Sequence, residues 1–332
     1  MYKVVYIPGD GIGPEIIEAT MRVVDASGVG IKWIAAEAGQ IAIKEHGTPV
    51  PKVTLDAIRD AKVALKGPFT NLPTGFPSPN QTLRIELGLF GNLRLAKAFQ
   101  GVDSPFKDID LAVVRECTEG TLVAMEHKIS SDSAIAIRPT SRAGCERVIR
   151  FAFDFAASNG RKKVTAAVKA NVLKLTDGMF LKAAQDISSE YPAIEFQQVN
   201  IDALAMDLVR KPREFDVMVM PNEYGDIIAD LVGGLVGSLG LCPGGNFGEG
   251  MAVFESAHGS APKYTGQNKV NPTAMILSGA MMLKHLGETG ASKSIEDAVR
   301  KVIAEKRTVT YDLGGTATMS GMTDAIIAEM RK

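Results

Sequence analysis

The feature that most constrains the fold is a regular alternation of short apolar runs with segments of helical periodicity. One apolar run, residues 215–220, ends at Pro221, and the apolar residues that follow recur at helical spacing through Leu235. The same alternation recurs through most of the preceding chain, beginning with a predicted strand at residues 4–7. This pattern predicts an α/β protein with a mostly parallel sheet.

Composition narrows the class of protein. The 332 residues are enough for about two domains, and 45% apolar with 23% charged residues is ordinary for a globular chain. A formal net charge of −1 gives no reason to expect nucleic acid or an anionic membrane as a partner. The three widely spaced cysteines indicate a reducing compartment and argue against a disulfide framework or a zinc site.

The beginning of the sequence and its apolar runs bear on location. The first residues already have the pattern of a strand, and no apolar run is long enough to cross a bilayer. On these grounds we expect a cytoplasmic protein.

Two carboxylates follow the apolar run 215–220. Asp226 and Asp230 are four residues apart on the predicted helix, so their side chains point the same way. One interpretation is a solvated helix start, where negative charge is favourable. The other is a site for a divalent cation with oxygen ligands, in the crevice at the carboxyl ends of the parallel strands.

Basic residues are placed at the ends of other predicted elements. Arg84 lies on the helix that follows a long loop rich in proline and glycine at residues 67–80, and a loop of this kind is typically functional or mobile. Arg94 and Arg115 are each predicted at a strand's carboxyl end, where a guanidinium can bind a carboxylate in bidentate fashion. Each alone is also compatible with a surface salt bridge, whereas three at one sheet edge would form a site for a polycarboxylate. Lys169 ends another strand, where proton transfer or simple solvation would both account for a lysine.

Two further segments resemble nucleotide-binding sequences only in part. Residues 8–15 follow the first strand, but Pro14 stands where the third glycine of a dinucleotide fingerprint is required, so a Rossmann fold is not predicted. Residues 257–264 contain His258 followed by Gly259, which allows close backbone approach, and Lys263, which could bind a phosphate. Asp202 is predicted to cap a helix.

Several segments, taken together and in order, resemble one family: the metal-dependent β-decarboxylating dehydrogenases that act on isocitrate, isopropylmalate or homoisocitrate. The resemblance covers nearly the whole chain. It implies an isocitrate dehydrogenase-like α/β/α fold with a large mixed sheet and two domains, one formed by residues 1–97 and 242–332 and one by residues 98–241. The smaller domain would carry a hairpin arm and form a homodimer with shared active sites. The segments that carry the resemblance are residues 8–15, 89–94, 115–120, 225–230 and 258–262.

The resemblance also implies a role for each candidate residue. Residues 78–84 look like the isocitrate branch, so Ser78, Asn80, Arg84, Arg94 and Arg115 would bind the substrate carboxylates. Asp226 and Asp230, with Asp202 from the partner subunit, would bind Mg²⁺ or Mn²⁺. Lys169, also from the partner, would be the general base or proton relay.

For the cofactor, Lys263 with Tyr264 and Tyr311 resembles the NADP-preferring members, although Gly315 stands where an arginine is expected. The resemblance therefore implies NADP, with NAD as the alternative. The implied cofactor-binding residues are His258, Gly259, Ser260, Ala261, Lys263, Tyr264, Asn271 and Tyr311.

The chain departs from the family pattern at a catalytic position. Leu122 replaces the tyrosine that would protonate the product, and leucine has no proton to donate. Cys117 replaces an asparagine, and Glu223 replaces an apolar residue and adds negative charge near the metal. The resemblance therefore implies the function of an NADP-dependent isocitrate dehydrogenase. The alternatives are an NAD-dependent enzyme or one acting on a related 2-hydroxy acid, and a regulatory subunit without activity.

Overall fold

The structure, a computed structural model, describes residues 1–70 and 75–332 and confirms the α/β class. Residues 71–74 of the predicted loop 67–80 lie outside the described residues. Within the described residues, ten strands form one mixed sheet in the order β2-β1-β3-β12-β11-β4-β5-β10-β8-β9, and β6 and β7 form a separate two-stranded sheet. The strands are β1 (Tyr2–Ile7), β2 (Ile31–Ala35), β3 (Val63–Lys66), β4 (Gly91–Lys97), β5 (Asp110–Glu116), β6 (Met125–Lys128), β7 (Ala134–Ile137), β8 (Lys163–Val168), β9 (Glu195–Asn200), β10 (Val217–Met220), β11 (Pro243–Gly248) and β12 (Met251–Ser256).

The large sheet consists of two parallel groups that run in opposite directions. Strands β2, β1, β3 and β12 are parallel, as are β5, β10, β8 and β9. Strand β11 is antiparallel to β12 and β4, and β4 is antiparallel to β5. The prediction of a mostly parallel sheet is therefore correct for the flanks and incomplete at the centre.

Helices cover both faces of the sheet, as expected where strands are buried on both sides. Helix α9 is buried almost all round, in agreement with its apolar sequence. The helices are α1 (Gly13–Ala26), α2 (Gln40–His46), α3 (Lys52–Ala61), α4 (Pro79–Glu86), α5 (Arg142–Ser158), α6 (Thr176–Ser188), α7 (Ile201–Arg210), α8 (Asn222–Leu235), α9 (Thr273–His285), α10 (Thr289–Glu305) and α11 (Met319–Met330).

Each face of the sheet has two core clusters, one over each parallel group. Because successive strand residues point to opposite faces, Phe254 and Leu95 define what we call the back face, and Glu255 and Arg94 define the front face. On the back face, α1, α9, α10 and α11 pack in one cluster and α5 and α6 in the other. On the front face, α3 and α4 cover one group and α7 and α8 the other. The two clusters of the back face meet at Phe247 and Met281, whereas the two front-face clusters have no residue in common among those described.

Three predicted features have different boundaries or conformations. The glycine-rich loop predicted at residues 239–250 contains β11, because glycine allows close approach there: a Cβ on Gly244 would lie 2.9 Å from Cδ of Arg94. The strand predicted at residues 89–93 continues to Lys97, so Arg94 lies mid-strand and not at a strand end. Helix α7 begins at Ile201 after Asn200, so Asp202 lies in the first turn and does not cap the helix.

The hairpin of β6 and β7 lies outside the large sheet. All residues of β6 and β7 are exposed, including Met125, Ile135 and Ile137.

The three cysteines lie in the interior of the protein. Cys117, Cys145 and Cys242 are buried, and burial raises the pKa of each thiol to about 12. In the described part of the chain, no helix has both the length and the apolar character needed to cross a bilayer.

Candidate active site

A buried carboxylate, Glu255, organises a group of polar and charged side chains at the centre of the front face. Its oxygens lie 2.5 Å from Nζ of Lys66, 3.3 Å from Nη2 of Arg84 and 3.4 Å from Nη2 of Arg94. The Asn246 amide donates a further hydrogen bond at 2.9 Å. Burial alone would raise the pKa of Glu255, but the charges of Lys66, Arg94 and Arg84 outweigh burial and hold this pKa well below its usual range.

The cationic groups around Glu255 are fixed in place and carry excess positive charge. Arg84 donates from Nε to the Asn246 side-chain oxygen at 2.9 Å, and Arg94 donates from Nε to the Asn92 oxygen at 3.2 Å. Three cations against one carboxylate leave two positive charges. Nη1 of Arg94 is buried and has no hydrogen-bond partner among the described residues. A buried unpaired N–H is costly, so this group is ready for an anionic ligand.

Arg115 joins this cluster from the other parallel group. Its pKa is lowered to about 10, first by burial and then by the positive charges of Arg84 and Arg94, with Asp226 opposing. Its Nε donates to the Asn222 oxygen at 2.9 Å, and Nη1 contacts Asp226. The three predicted arginines therefore do converge, but on the front face of the sheet and not at one sheet edge.

Helix α8 presents the carboxylates Asp226 and Asp230 beside the arginines. Gly225 is required there, because a Cβ at this position would lie 2.5 Å from Cβ of Arg115. Asp226 is 57% exposed. Burial raises the pKa of Asp230 and the charge of Asp226 adds to the effect, while Arg94 and Arg115 oppose it. Two hard oxygen donors that repel each other fit a divalent cation such as Mg²⁺ or Mn²⁺.

Lys169 and Asp202 form a separate pair. Nζ of Lys169 lies 2.7 Å from Oδ1 of Asp202. Within residues 1–70 and 75–332, no three His, Cys, Asp or Glu side chains are grouped as a metal site. Asp202 is therefore not assembled with Asp226 and Asp230 in the single chain. That Lys169 and Asp202 act on the site of a second copy stays a prediction.

The other predicted substrate residues lie at the start of α4. Ser78 accepts a hydrogen bond from the backbone N–H of Gln81 at 3.5 Å and thereby caps the helix. Oδ1 of Asn80 is buried without a partner among the described residues. Both positions follow closely on residues 71–74, which lie outside the described part of the chain.

Leu122 lies close to α4 and α8. Its backbone oxygen accepts a hydrogen bond from the Gln81 amide at 2.9 Å, and its side chain is exposed. The neighbouring Thr121 hydroxyl donates to Glu223 at 3.0 Å. Cys117 cannot take over the proton transfer readily, because its thiol is buried and donates to the Leu89 carbonyl at 2.9 Å.

The predicted dinucleotide residues assemble at the turn after β1. The backbone N–H of Ile12 donates to the Ser260 carbonyl at 2.9 Å, and a Cβ on Gly11 would lie 2.1 Å from that oxygen. Gly259 and Ala261 flank this contact. Burial lowers the pKa of His258, and its Nε2 has no partner among the described residues, so a neutral imidazole is available to a ligand.

Aromatic and basic side chains lie next to this turn. The rings of Tyr264 and Tyr311 are 6.0 Å apart. Nζ of Lys263 lies 4.9 Å from the Tyr264 ring centre, and Nζ of Lys269 lies 4.8 Å from that of Tyr311. Asn271 is already engaged, since it donates to Asp312 at 2.9 Å. The arrangement can hold a flat ring system and a phosphate.

Sequence reasoning missed the residues that hold the arginines in place. Glu255 and Lys66 are ionisable residues within otherwise apolar strands, and that placement was an available signal for a buried ion pair. Asn92 and Asn246 gave no comparable signal, because their roles depend on pairing between β4 and β11.

The fold is that of the β-decarboxylating dehydrogenases, and comparison with known proteins identifies the family. A family model described as isocitrate/isopropylmalate dehydrogenase matches residues 3–326, so the chain belongs to this family of β-decarboxylating dehydrogenases. A crystal structure of isocitrate dehydrogenase from Methylococcus capsulatus is 46% identical, covers 100% of both chains and has a TM-score of 0.96.

Curated relatives are similar over almost their full length. An NAD isocitrate dehydrogenase regulatory subunit of Dictyostelium discoideum, a mitochondrial protein, is 41% identical over 99% of this chain and 92% of its own. The mitochondrial NAD isocitrate dehydrogenase catalytic subunit 5 of Arabidopsis thaliana is 43% identical over 96% of this chain and 86% of its own.

These relatives correct or limit three predictions. Their mitochondrial names contradict the expected cytoplasmic location, which rested on the strand pattern of the first residues and on apolar runs too short to cross a bilayer. Neither feature distinguishes the cytoplasm from a mitochondrial compartment. Their NAD-dependent names do not support a preference for NADP. They are also named as subunits, so the homodimer is not confirmed.

Proposed function

We propose that the protein oxidises and decarboxylates isocitrate with a nicotinamide dinucleotide and Mg²⁺ or Mn²⁺. The observation that carries this proposal is the convergence of Arg84, Arg94 and Arg115 beside Asp226 and Asp230. A tricarboxylate needs several cations, and a 2-hydroxy acid needs a chelated metal beside them. The excess charge around Glu255 and the unpaired Nη1 of Arg94 match the first requirement.

Each residue then has a defined task. Arg84, Arg94 and Arg115, with Ser78 and Asn80, hold the substrate carboxylates. Asp226 and Asp230, joined by Asp202 of a second copy, would hold the divalent cation, which supplies Lewis acidity for the oxidation and for loss of CO₂. Lys169 of the same second copy would take the proton of the 2-hydroxyl group.

NAD is the cofactor that the names of the relatives favour. NADP is the second candidate, because Lys263 and Lys269 place two positive charges beside Tyr264 and Tyr311, where an additional phosphate would bind favourably. His258, Gly259, Ser260, Ala261 and Asn271 would line the remainder of the dinucleotide site. Initial rates with each dinucleotide decide between the two, and Lys263→Ala should raise KM for NADP far more than KM for NAD.

We also propose that the exposed hairpin docks onto a second copy to form a homodimer. Met125, Ile129, Ile135 and Ile137 are each at least 40% exposed. Apolar exposure of this extent on a two-stranded ribbon is typical of an interface. Sedimentation analysis of the wild type and of an Ile135→Glu, Ile137→Glu variant tests this, and a variant of unchanged mass would contradict it.

A regulatory subunit without activity is the alternative, and Leu122 and the Dictyostelium relative favour it. Purified protein with Mn²⁺ is assayed with isocitrate, isopropylmalate and homoisocitrate by the absorbance of the reduced nicotinamide. If the protein binds isocitrate but does not turn it over with either NAD or NADP, the proposed enzyme activity is contradicted. If missing acid catalysis limits the rate, Leu122→Tyr should increase turnover, whereas Leu122→Phe, the matched control, should not.

A further inference from the structure

The back face of the sheet contains a cavity where its two core clusters meet. The volume is about 410 Å³, which is within the range of small-molecule sites. Helices α9 and α10 line one side, the end of α5 and the turn into β8 line the other, and β4 contributes to the base. None of the residues assigned above to isocitrate, the metal or the dinucleotide lines this cavity.

The base of the cavity is apolar and is drawn from both clusters of the back face. Met281 packs against both of these clusters, so it marks the boundary between them. Such a surface provides hydrophobic contact for a ligand of modest size. The apolar lining residues are Leu95, Phe99, Phe155, Leu241, Leu277 and Met281.

The rim of the cavity carries four basic and two acidic side chains. Two further carboxylates just outside the lining, Asp216 and Asp297, pair with Arg161 at 2.9 Å and with Arg300 at 3.9 Å. Lys97 and Arg161 share Asp110 at 2.7 and 2.5 Å, and Arg300 pairs with Glu296 at 3.3 Å. Every charged side chain of the rim except Lys284 is therefore engaged in an ion pair within the rim.

Lys284 is the basic residue of the rim that lacks a compensating carboxylate. Its Nζ donates to the neutral Asn159 side chain at 2.6 Å, a bond that joins α9 to the residue after α5. No carboxylate of the described residues lies within ion-pair distance of it. An ammonium group has three N–H donors, so Lys284 can also bind an anion at the mouth of the cavity.

We propose that this cavity binds a small organic anion with an apolar or aromatic body. The body occupies the space over Leu95, Leu277 and Met281, and the anionic group pairs with Lys284. The apolar lining together with Lys284 favours a ligand with distinct apolar and charged ends over a simple inorganic anion.

Strand β4 would transmit the effect of such a ligand from the cavity to the active site on the front face. Arg94 points to the front face, while Leu95 and Lys97 on the same strand line the cavity. A ligand bound between α5 and α9 would fix the distance between these helices and thereby the position of β4, which packs beneath them. An effect on turnover of isocitrate rests on the proposed function, whereas binding itself does not.

The test uses 8-anilinonaphthalene-1-sulfonate, an aromatic anion, in isothermal titration calorimetry with the full chain. Saturating NAD and, separately, NADP are present to occupy the dinucleotide site. We expect saturable binding that Met281→Trp, which fills the space, weakens at least tenfold. Lys284→Glu, at an exposed position where folding is not at risk, should weaken it several-fold.

Two matched controls make the same changes of bulk and charge at positions outside the cavity. Ile41→Trp adds the same bulk on the exposed side of α2, and Lys293→Glu reverses a charge on α10 outside the cavity. Equal affinity in all four variants, or no saturable binding by the wild type, would overturn the proposal. Because heat of binding is measured without turnover, an inactive protein that still binds the probe refutes the proposed function and leaves this site intact.

Discussion

The two halves of the candidate active site differ in how completely one chain builds them. The anion-binding half consists of Lys66, Arg84 and Arg94 around Glu255, whose side chain is only 4% exposed. The cation-binding half consists of Asp226 and Asp230 on α8, and Asp226 is largely open to solvent. Internal hydrogen bonds hold the side chains of the anion-binding half in place without a ligand. In the cation-binding half, the carboxylate of Asp226 is exposed and accessible to a cation.

This difference has an energetic meaning. Buried charges are tolerated only when they are paired, so the anion-binding half is part of the stability of the fold. Exposed carboxylates contribute little to folding and can be arranged for ligand binding. Substitutions in each half test whether stability and metal binding are divided between them in this way.

The largest loss of stability is expected from a substitution in the anion-binding half. Glu255→Gln leaves the buried Lys66 and the partly buried Arg84 and Arg94 without their carboxylate, and we expect it to lower the free energy of unfolding by about 3–5 kcal/mol. Urea unfolding of the metal-free protein measures this, with Glu249→Gln at a surface turn as the control. A loss under about 1 kcal/mol would mean that Glu255 is not the centre of the cluster.

The contribution of Glu255 should also disappear in acid. Its pKa in the folded protein lies below the unfolded value of about 4.3. The stabilisation is therefore fully present above that value and is lost as the pH falls through the folded pKa. The difference in stability between wild type and Glu255→Gln should shrink steadily below about pH 4. A constant difference would contradict the assignment.

An intermediate loss of stability is expected at Asp177, the buried carboxylate that binds the backbone N–H of Lys169. Asp177 is fully buried, accepts from the backbone N–H of Lys169 at 2.6 Å and pairs with Arg138 at 2.8 Å. Asp177→Asn should cost about 1–3 kcal/mol of unfolding free energy. Because Arg138 follows β7, the same change should also loosen the hairpin, measured as faster amide exchange in β6 and β7. Asp186→Asn on the exposed side of α6 is the control.

The smallest effect on stability is expected at Asp226. Asp226→Asn keeps a hydrogen-bond acceptor for Arg115, so the metal-free protein should lose no more than about 1 kcal/mol. Affinity for Mn²⁺ should nevertheless fall at least about tenfold, because a charged ligand is lost. Calorimetric titration with Mn²⁺ tests this against Asp297→Asn on α10. Unchanged Mn²⁺ affinity would remove Asp226 from the metal site.

The sequence was informative where function depends on local pattern. Asp226 and Asp230 share a helix face whatever surrounds them, and the alternation of strands and helices was sufficient to predict the α/β class. Arg115 was singled out because it lies near the end of an apolar strand, as it does in β5. Arg94 was singled out for the same reason although it lies mid-strand, and Arg84 because its helix follows the long loop.

What the sequence could not supply was long-range pairing. Strand β11 is rich in glycine and looks like a loop, and only its fit beside Arg94 explains its conformation. Glu255 became visible as the centre of the cluster only when β12, β3 and β4 were in register. The grouping of Asp202 and Lys169 with α8 is absent from the single chain for a related reason, since it would require a second copy.

The buried thiols have a practical consequence. Burial raises the pKa of Cys117, Cys145 and Cys242 well above neutral pH, so the reactive thiolate form is scarce, and the three side chains are shielded from reagents in solution. Alkylating reagents and fluorophore maleimides should therefore leave the native protein unlabelled. A cysteine introduced on the hairpin or beside Lys284 could then carry a spectroscopic label without removal of the natural cysteines, so movements of either region can be followed in an otherwise unaltered molecule.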